Sequence, residues 1–265
     1  MAVSRPLVIR SVELMSACFC TLAVGDSYRK CARALCTNAT CRPWIVLTDQ
    51  PNDFADLPVR AFPHQLIGPT AADYVARLGP AGVDRGAAAA YHDKRFALQA
   101  TLQEHDTAVF VDADSTIDPL PHIDAFPPGL AVLPLLGNSI AAHLQVWGSW
   151  RVPAFTELAR ALAGNEQILR STLWCHEAFY AVTKDGNESQ FFRAWEYAAD
   201  FLKRRGINSG EGGVMGLAAI CAGWTVNDAA LAPLLPLIHH QGGGPKPAAE
   251  SSVHATEPPI ASDNL

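Results

Sequence analysis

Strand-like and helix-like patterns alternate along this sequence, and no other feature constrains the fold as much. The stretch "ELMSACFCTLAV" (13–24) reads as a buried strand. "DSYRKCARALCTNA" (26–39) follows as a helix that opens on Asp26 and Ser27, both good N-cap residues. "WIVLTD" (44–49) is a second strand and "VRAFP" (59–63) a short third one. Helix returns with "YHDKRFALQATLQEH" (91–105), where Tyr91, Leu98 and Leu102 share a face, and a strand follows at 108–111. Further on, "LAVLPLL" (130–136) and "AFYAVT" (178–183) read as strands. "PAFTELARALAG" (153–164), "ESQFFRAWEYAADFLKRRG" (188–206) and "EGGVMGLAAICAG" (211–223) read as helices, and "PLIHHQ" closes the folded part. This order predicts an α/β fold, a single domain with a mixed, mostly parallel sheet flanked by helices. The Gly-, Pro- and Ala-rich stretch 64–90 is expected to be an irregular excursion. The domain is expected to span residues 1–247, and residues 248–265 to form a disordered tail.

Composition narrows the partners. The chain has 265 residues, 49% apolar and 17% charged, which is enough to bury a sizeable core. A formal charge of −6 gives no basic field for nucleic acid or an acidic membrane. No uninterrupted apolar run reaches the ~18 residues needed for a membrane span. At the start, Arg5 and Arg10 precede apolar residues, but Glu13 interrupts them and no small-residue cleavage site follows, so a cytoplasmic protein is expected. The seven cysteines are odd in number and include no CxxC pair, which favours structural thiols in a reducing compartment over a disulfide framework or zinc.

The stretch "TAVFVDADSTI" (107–117) sets Asp112 and Asp114 just past an apolar strand. Ligands on parallel sheets collect at the carboxyl ends of the strands. Two carboxylates there are costly in an apolar site unless something neutralises them, and Mg²⁺ or Mn²⁺ does this with oxygen ligands while substrate phosphates complete the shell. A solvated turn at the strand end is the plainer alternative. A second cluster, "HHQGGGPKP" (239–247), orders His240, Gly243, Lys246 and Pro247 as H-x-x-G-x-x-K-P. His240 could supply an imidazole to the same metal, the glycines a close backbone approach to phosphate, and Lys246 a point charge. Taken alone, the segment also reads as the start of a flexible tail.

Four segments in order resemble the nucleotide-sugar-dependent glycosyltransferases of the GT-A architecture, a Rossmann-like fold, in particular the glycogenin and bacterial galactosyl- or glucosyltransferase type. "TLAVGDSY" (21–28) is similar to the family's first strand and turn, and "HDKRFALQATLQEHDTAVFVDADSTI" (92–117) to its basic helix and hydrophobic-DxD element. "SGEGGVMGLAA" (209–219) looks like its acidic-then-helix segment, and "HHQGGGPKP" like its late histidine, glycine and lysine segment. The resemblance implies that Asp112, Asp114 and His240 ligate Mn²⁺ or Mg²⁺, with Asp112 also near the ribose. It implies that Leu22, Ala23 and Tyr28 frame the uracil of a UDP-sugar donor and that Ala113 lines the nucleotide site. Lys94 would touch the donor sugar or its phosphates, Gly243 and Lys246 would hold the diphosphate, and Glu211 would stand near the reacting sugar. Each has an ordinary alternative: a first-turn core residue for Tyr28, a surface lysine for Lys94, a helix N-terminal carboxylate for Glu211. The implied activity is transfer of a hexose from a nucleoside-diphosphate sugar to a hydroxyl-bearing acceptor; retention of configuration follows from the resemblance alone, and homo-oligomerisation stays open.

The chain departs from the family at "WCHEAFYAV" (174–182), where His176, Glu177 and Ala178 stand for an Asn-Ser-Gly stretch, and at Ala248, which replaces a tryptophan. His176 and Glu177 read either as an acid–base or acceptor-orienting element or as a satisfied polar turn. Two rivals remain: a haloacid dehalogenase-type phosphatase with Asp112 as nucleophile, and a catalytically degenerate nucleotide-sugar-binding protein. The first lacks a later Asp-Asp pair, and the second is opposed by the intact aspartates and the late His and Lys.

Overall fold

The computed structural model describes residues 17–38, 43–66, 90–118, 126–133, 138–207 and 210–240. In chain order its elements are β1 (Ala17–Ala23), α1 (Asp26–Asn38), β2 (Trp44–Thr48), β3 (Arg60–Pro63), α2 (Ala90–Leu102), β4 (Thr107–Val111) and β5 (Ser115–Ile117). They continue with β6 (Gly129–Val132), α3 (Ile140–Trp147), α4 (Val152–Ala163), α5 (Ile168–Ser171), β7 (Phe179–Thr183), α6 (Glu188–Lys203), α7 (Glu211–Cys221) and β8 (Ile238–His240). The main sheet has the order β3-β2-β1-β4-β7-β6, and β5 pairs with β8 in a second, two-stranded sheet. Strands β3, β2, β1 and β4 are parallel neighbours. Only β7 is reversed, running against both β4 and β6. The chain is therefore α/β with a mostly parallel, Rossmann-like sheet, as its alternating pattern predicts.

The strands read as unbroken apolar runs because both faces of the sheet are covered. Along β1, Cys18, Cys20 and Leu22 enter one core, and Phe19 and Ala23 the other. The first core is closed by Leu98 of α2, Phe155 of α4, Trp195 of α6 and Met215 of α7. The second is closed by Ala32, Leu35 and Cys36 of α1 together with Phe54 and Leu234. Of the seven cysteines, Cys41 lies outside the described residues and the other six are free thiols. Burial pushes the Cys18 and Cys36 thiols up to about 12. Thiol titration of the native protein should therefore leave Cys18, Cys20, Cys36 and Cys175 unmodified until denaturant is added, since only thiolate reacts.

Several boundaries differ from the sequence pattern. Helix α2 ends at Leu102 rather than 105, where the N–H groups of Glu104 and His105 both turn back to the Thr101 carbonyl. Helix α6 ends at Lys203 rather than 206 because Gly206 adopts a φ of 72°, open to glycine. The Gly206 and Ile207 N–H groups then bond back to the carbonyls of Lys203 and Leu202, a Schellman-type stop. Strand β6 covers Gly129–Val132, while 134–137, most of the 64–90 excursion and the 248–265 tail lie outside the described residues. No helix among the described residues is long and apolar enough to cross a membrane.

Candidate functional site

Strand β4 delivers Asp112 to the carboxyl edge of the parallel strands. The Asp112 N–H donates to the Ala178 carbonyl at 2.8 Å, one step beyond the Val111–Phe179 pair, so the β4–β7 ladder fixes the first carboxylate. A turn follows, with the Ser115 N–H donating to the Asp112 carbonyl at 3.0 Å. Ser115 then opens β5, whose partner β8 returns antiparallel with His240 opposite Ser115. The Asp118 N–H donates to the Leu237 carbonyl at 2.9 Å, and exposed Asp118 and His239 meet at 3.2 Å. The backbone of His240 is thereby held beside the residue that follows Asp114. The side chain of His240 lies outside the described residues, as do Gly243 and Lys246. Among the described residues, no group of three or more His, Cys, Asp or Glu side chains is gathered as a metal site.

Lys94 stands at the centre of the site. It is only 5% exposed, which excludes an ordinary surface lysine. Its Nζ lies 2.7 Å from Asp112 Oδ1 and 3.1 Å from Glu211 Oε2, and it donates to the Glu177 carbonyl at 3.1 Å. The Glu177 carbonyl accepts a hydrogen bond, while the two carboxylates are ion-pair partners, Glu211 Oε2 being buried without a hydrogen bond among the described residues. The rings of Phe110 and Tyr91 lie 5.3 Å and 5.6 Å from the same nitrogen. Glu211 has no exposed surface, and its Oε1 accepts from the Tyr180 hydroxyl at 3.3 Å. Tyr180 is stacked on Phe110 at 5.0 Å. Glu177 is partly exposed, and its Oε1 accepts from the Gly212 N–H at 2.8 Å.

This gathers the carboxylates of Asp112, Glu177 and Glu211 around the single ammonium of Lys94. Burial holds Glu211 well above the usual carboxylate range against the pull of Lys94, and burial likewise raises Glu177. For Lys94, burial works to lower the value, but Asp112 and Glu211 outweigh it and the net shift is upward. A site with this many carboxyl groups favours protons or a cation. Tyr28, in the first turn of α1, is half-buried beside the aspartates; burial, then Asp114, then Asp112 keep its hydroxyl above the ordinary value. Leu22, Ala23 and Ala113 are buried core residues.

The first turn of α7 reaches Lys94 because it is built from glycines. Gly210 adopts a φ of 100°, and a Cβ on Gly212 would collide with the Cys175 carbonyl and the Trp174 ring. Segment 174–177 thus lies directly on the helix start, which puts Glu211 behind Lys94 and aims the Gly212 N–H at Glu177. Gly212→Ala should destabilise the protein by roughly 1–3 kcal/mol through overpacking against backbone, measured as a lower urea midpoint.

The structure brings Lys94, Asp112 and Glu211 into one cluster, with Glu177 added. Sequence reasoning missed Tyr180, because a tyrosine inside a strand is unremarkable. It also missed the brace under the β1–α1 turn, where Asp49 accepts from Arg29 at 2.8 Å and from the Gly25 N–H at 3.2 Å. The Gly-Glu-Gly-Gly run at 210–213 was the available signal for a close helix approach. No protein-family model matches this chain, and no curated protein matches it.

Proposed function

We propose that the chain is a GT-A-type, metal-dependent glycosyltransferase that moves a hexose from a nucleoside-diphosphate sugar, UDP-linked by preference, to a hydroxyl-bearing acceptor. The observation that carries this reading is the meeting of Asp112, Asp114, buried Lys94 and the β8 backbone at His240 on the carboxyl edge of a parallel sheet. The donor set fits a hard divalent cation. Asp112 and Asp114 offer carboxylate oxygens, both act on the Tyr28 hydroxyl, and the cluster's carboxylates outnumber its ammonium. Asp112, Asp114 and His240 would hold Mn²⁺ or Mg²⁺, which when bound supplies positive charge to the diphosphate leaving group.

The chain's own residues do the rest. Lys94 orients Asp112 and keeps a positive charge at the strand end. Glu211, sealed behind it, fixes the ammonium. Tyr28 offers a half-buried ring for the uracil, with Leu22, Ala23 and Ala113 behind, and Gly243 and Lys246 would close over the diphosphate and exclude water. Retention of configuration and a cytoplasmic setting belong to the same proposal.

Calorimetric titration of the full chain with UDP-glucose, UDP-galactose and a GDP-sugar, with and without MnCl₂, tests it. Manganese-enhanced binding of a UDP-sugar is expected. A saturating donor at 100 times its Kd should add roughly 2.7 kcal/mol of stability. Absence of such binding for every donor would overturn the proposal.

A further inference from the structure

The two glutamates beside Lys94 are placed differently. Glu211 is completely buried: its Oε1 accepts from Tyr180, and its Oε2, sealed from solvent, lies 3.1 Å from Lys94 Nζ as an ion pair without a formed hydrogen bond among the described residues. Glu177 is partly exposed. Its Oε1 is locked by the Gly212 N–H at the start of α7, and its own carbonyl accepts from Lys94. Its Oε2 has no hydrogen-bond partner among the described residues, and the Arg151 guanidinium acts on the carboxylate from nearby. A carboxylate fixed at one oxygen presents the other in a set position, which is how a preorganised contact is built. Anchoring the helix start uses only one oxygen, so it leaves the second unexplained.

The chemistry of the open oxygen selects its ligand. A carboxylate only accepts hydrogen bonds and repels phosphate, so among the groups of a nucleotide sugar and a hydroxyl-bearing acceptor it meets a hydroxyl. Lys94 is already held by the Asp112 and Glu211 carboxylates and the Glu177 carbonyl. We propose that Glu177 is the carboxylate that touches substrate, its Oε2 accepting a hydrogen bond from a hydroxyl of a sugar ring. This rests on the transferase reading above, and the sugar is either the hexose of the donor or that of a saccharide acceptor. The neighbouring turn, in which His176 Nδ1 accepts from the Ala178 N–H at 3.2 Å, holds the segment in place.

The test compares the wild type with Glu177→Ala and Glu177→Gln, using Mn²⁺, UDP, the UDP-hexose that binds the wild type most tightly, and free glucose as acceptor. Glutamine keeps an oxygen for the Gly212 N–H, so that variant preserves the helix anchor. UDP affinity should be unchanged in both variants. For Glu177→Ala, kcat/KM for acceptor-free hydrolysis of the UDP-hexose should fall roughly 10- to 100-fold, with Glu177→Gln recovering part of it. If hydrolysis is unchanged and the KM for glucose rises by that factor instead, the hydroxyl is the acceptor's and the contact stands. If neither changes, the contact is overturned and the transferase reading survives. A wild type that does not bind UDP with Mn²⁺ overturns both.

Discussion

Lys94→Met should lower the stability of the protein by about 3–5 kcal/mol at pH 8, because removing one partner of a buried ion pair strands the charges left behind. Asp112 and Glu211 lose their closest cation, and the Glu177 carbonyl loses its donor. The loss should also depend on pH, with a sign fixed by the carboxyls. Burial raises both Glu211 and Glu177 in the native protein. A raised value means that the folded state binds these protons more readily than the unfolded chain. Their contribution is therefore fully present below the ordinary glutamate value of about 4.3 and is lost as pH rises through the raised values. In the wild type Lys94 opposes this shift; without it both groups rise further. Urea unfolding of Lys94→Met should thus show a modest deficit near pH 5 that grows towards pH 8. Adding Glu211→Gln, a neutral residue of the same shape, should recover part of the deficit at pH 8. An equal loss at both pH values would mean that the ammonium serves packing alone.

The parts of the fold that could be read ahead are those with long-lived local patterns. β1, β2 and β4 fall within largely apolar runs bounded by Gly25, Asp49 and Asp112, with 13–16 of the first run outside the described residues. The reversed β7 could not be read, since "AFYAVT" is equally apolar in either direction. Strands β5 and β8 are three residues each and exist only because they pair across the chain, a contact without local signature. The same division holds for the site. Asp112 and Lys94 could be singled out by residue type and order, but their 2.7 Å pairing is tertiary. Glu177 was legible, with His176, as an acid–base or acceptor-orienting element or as a polar turn, but its anchoring was not, because its partner Gly212 lies on another element. The burial of Glu211 depends on close packing of the glycine-rich turn, which the composition of 210–213 permits without specifying.

Asp114→Ala should cut manganese-dependent turnover of the donor by at least roughly 100-fold, the scale on which charge stabilisation at a reacting group is felt. Its contrast with Asp112→Ala makes the result diagnostic. Asp112 has two parts to play, since its Oδ1 also neutralises Lys94, so its removal should cost stability as well as activity. Asp114 is buried and acts on the Tyr28 hydroxyl. Its loss should fall mainly on the increment that manganese adds to UDP affinity, leaving the affinity measured in EDTA close to that of the wild type. Calorimetry of both variants with and without MnCl₂ separates these contributions. If the manganese increment survives intact in Asp114→Ala, the carboxylate pair is a strand-end turn and the ion, if there is one, is held elsewhere.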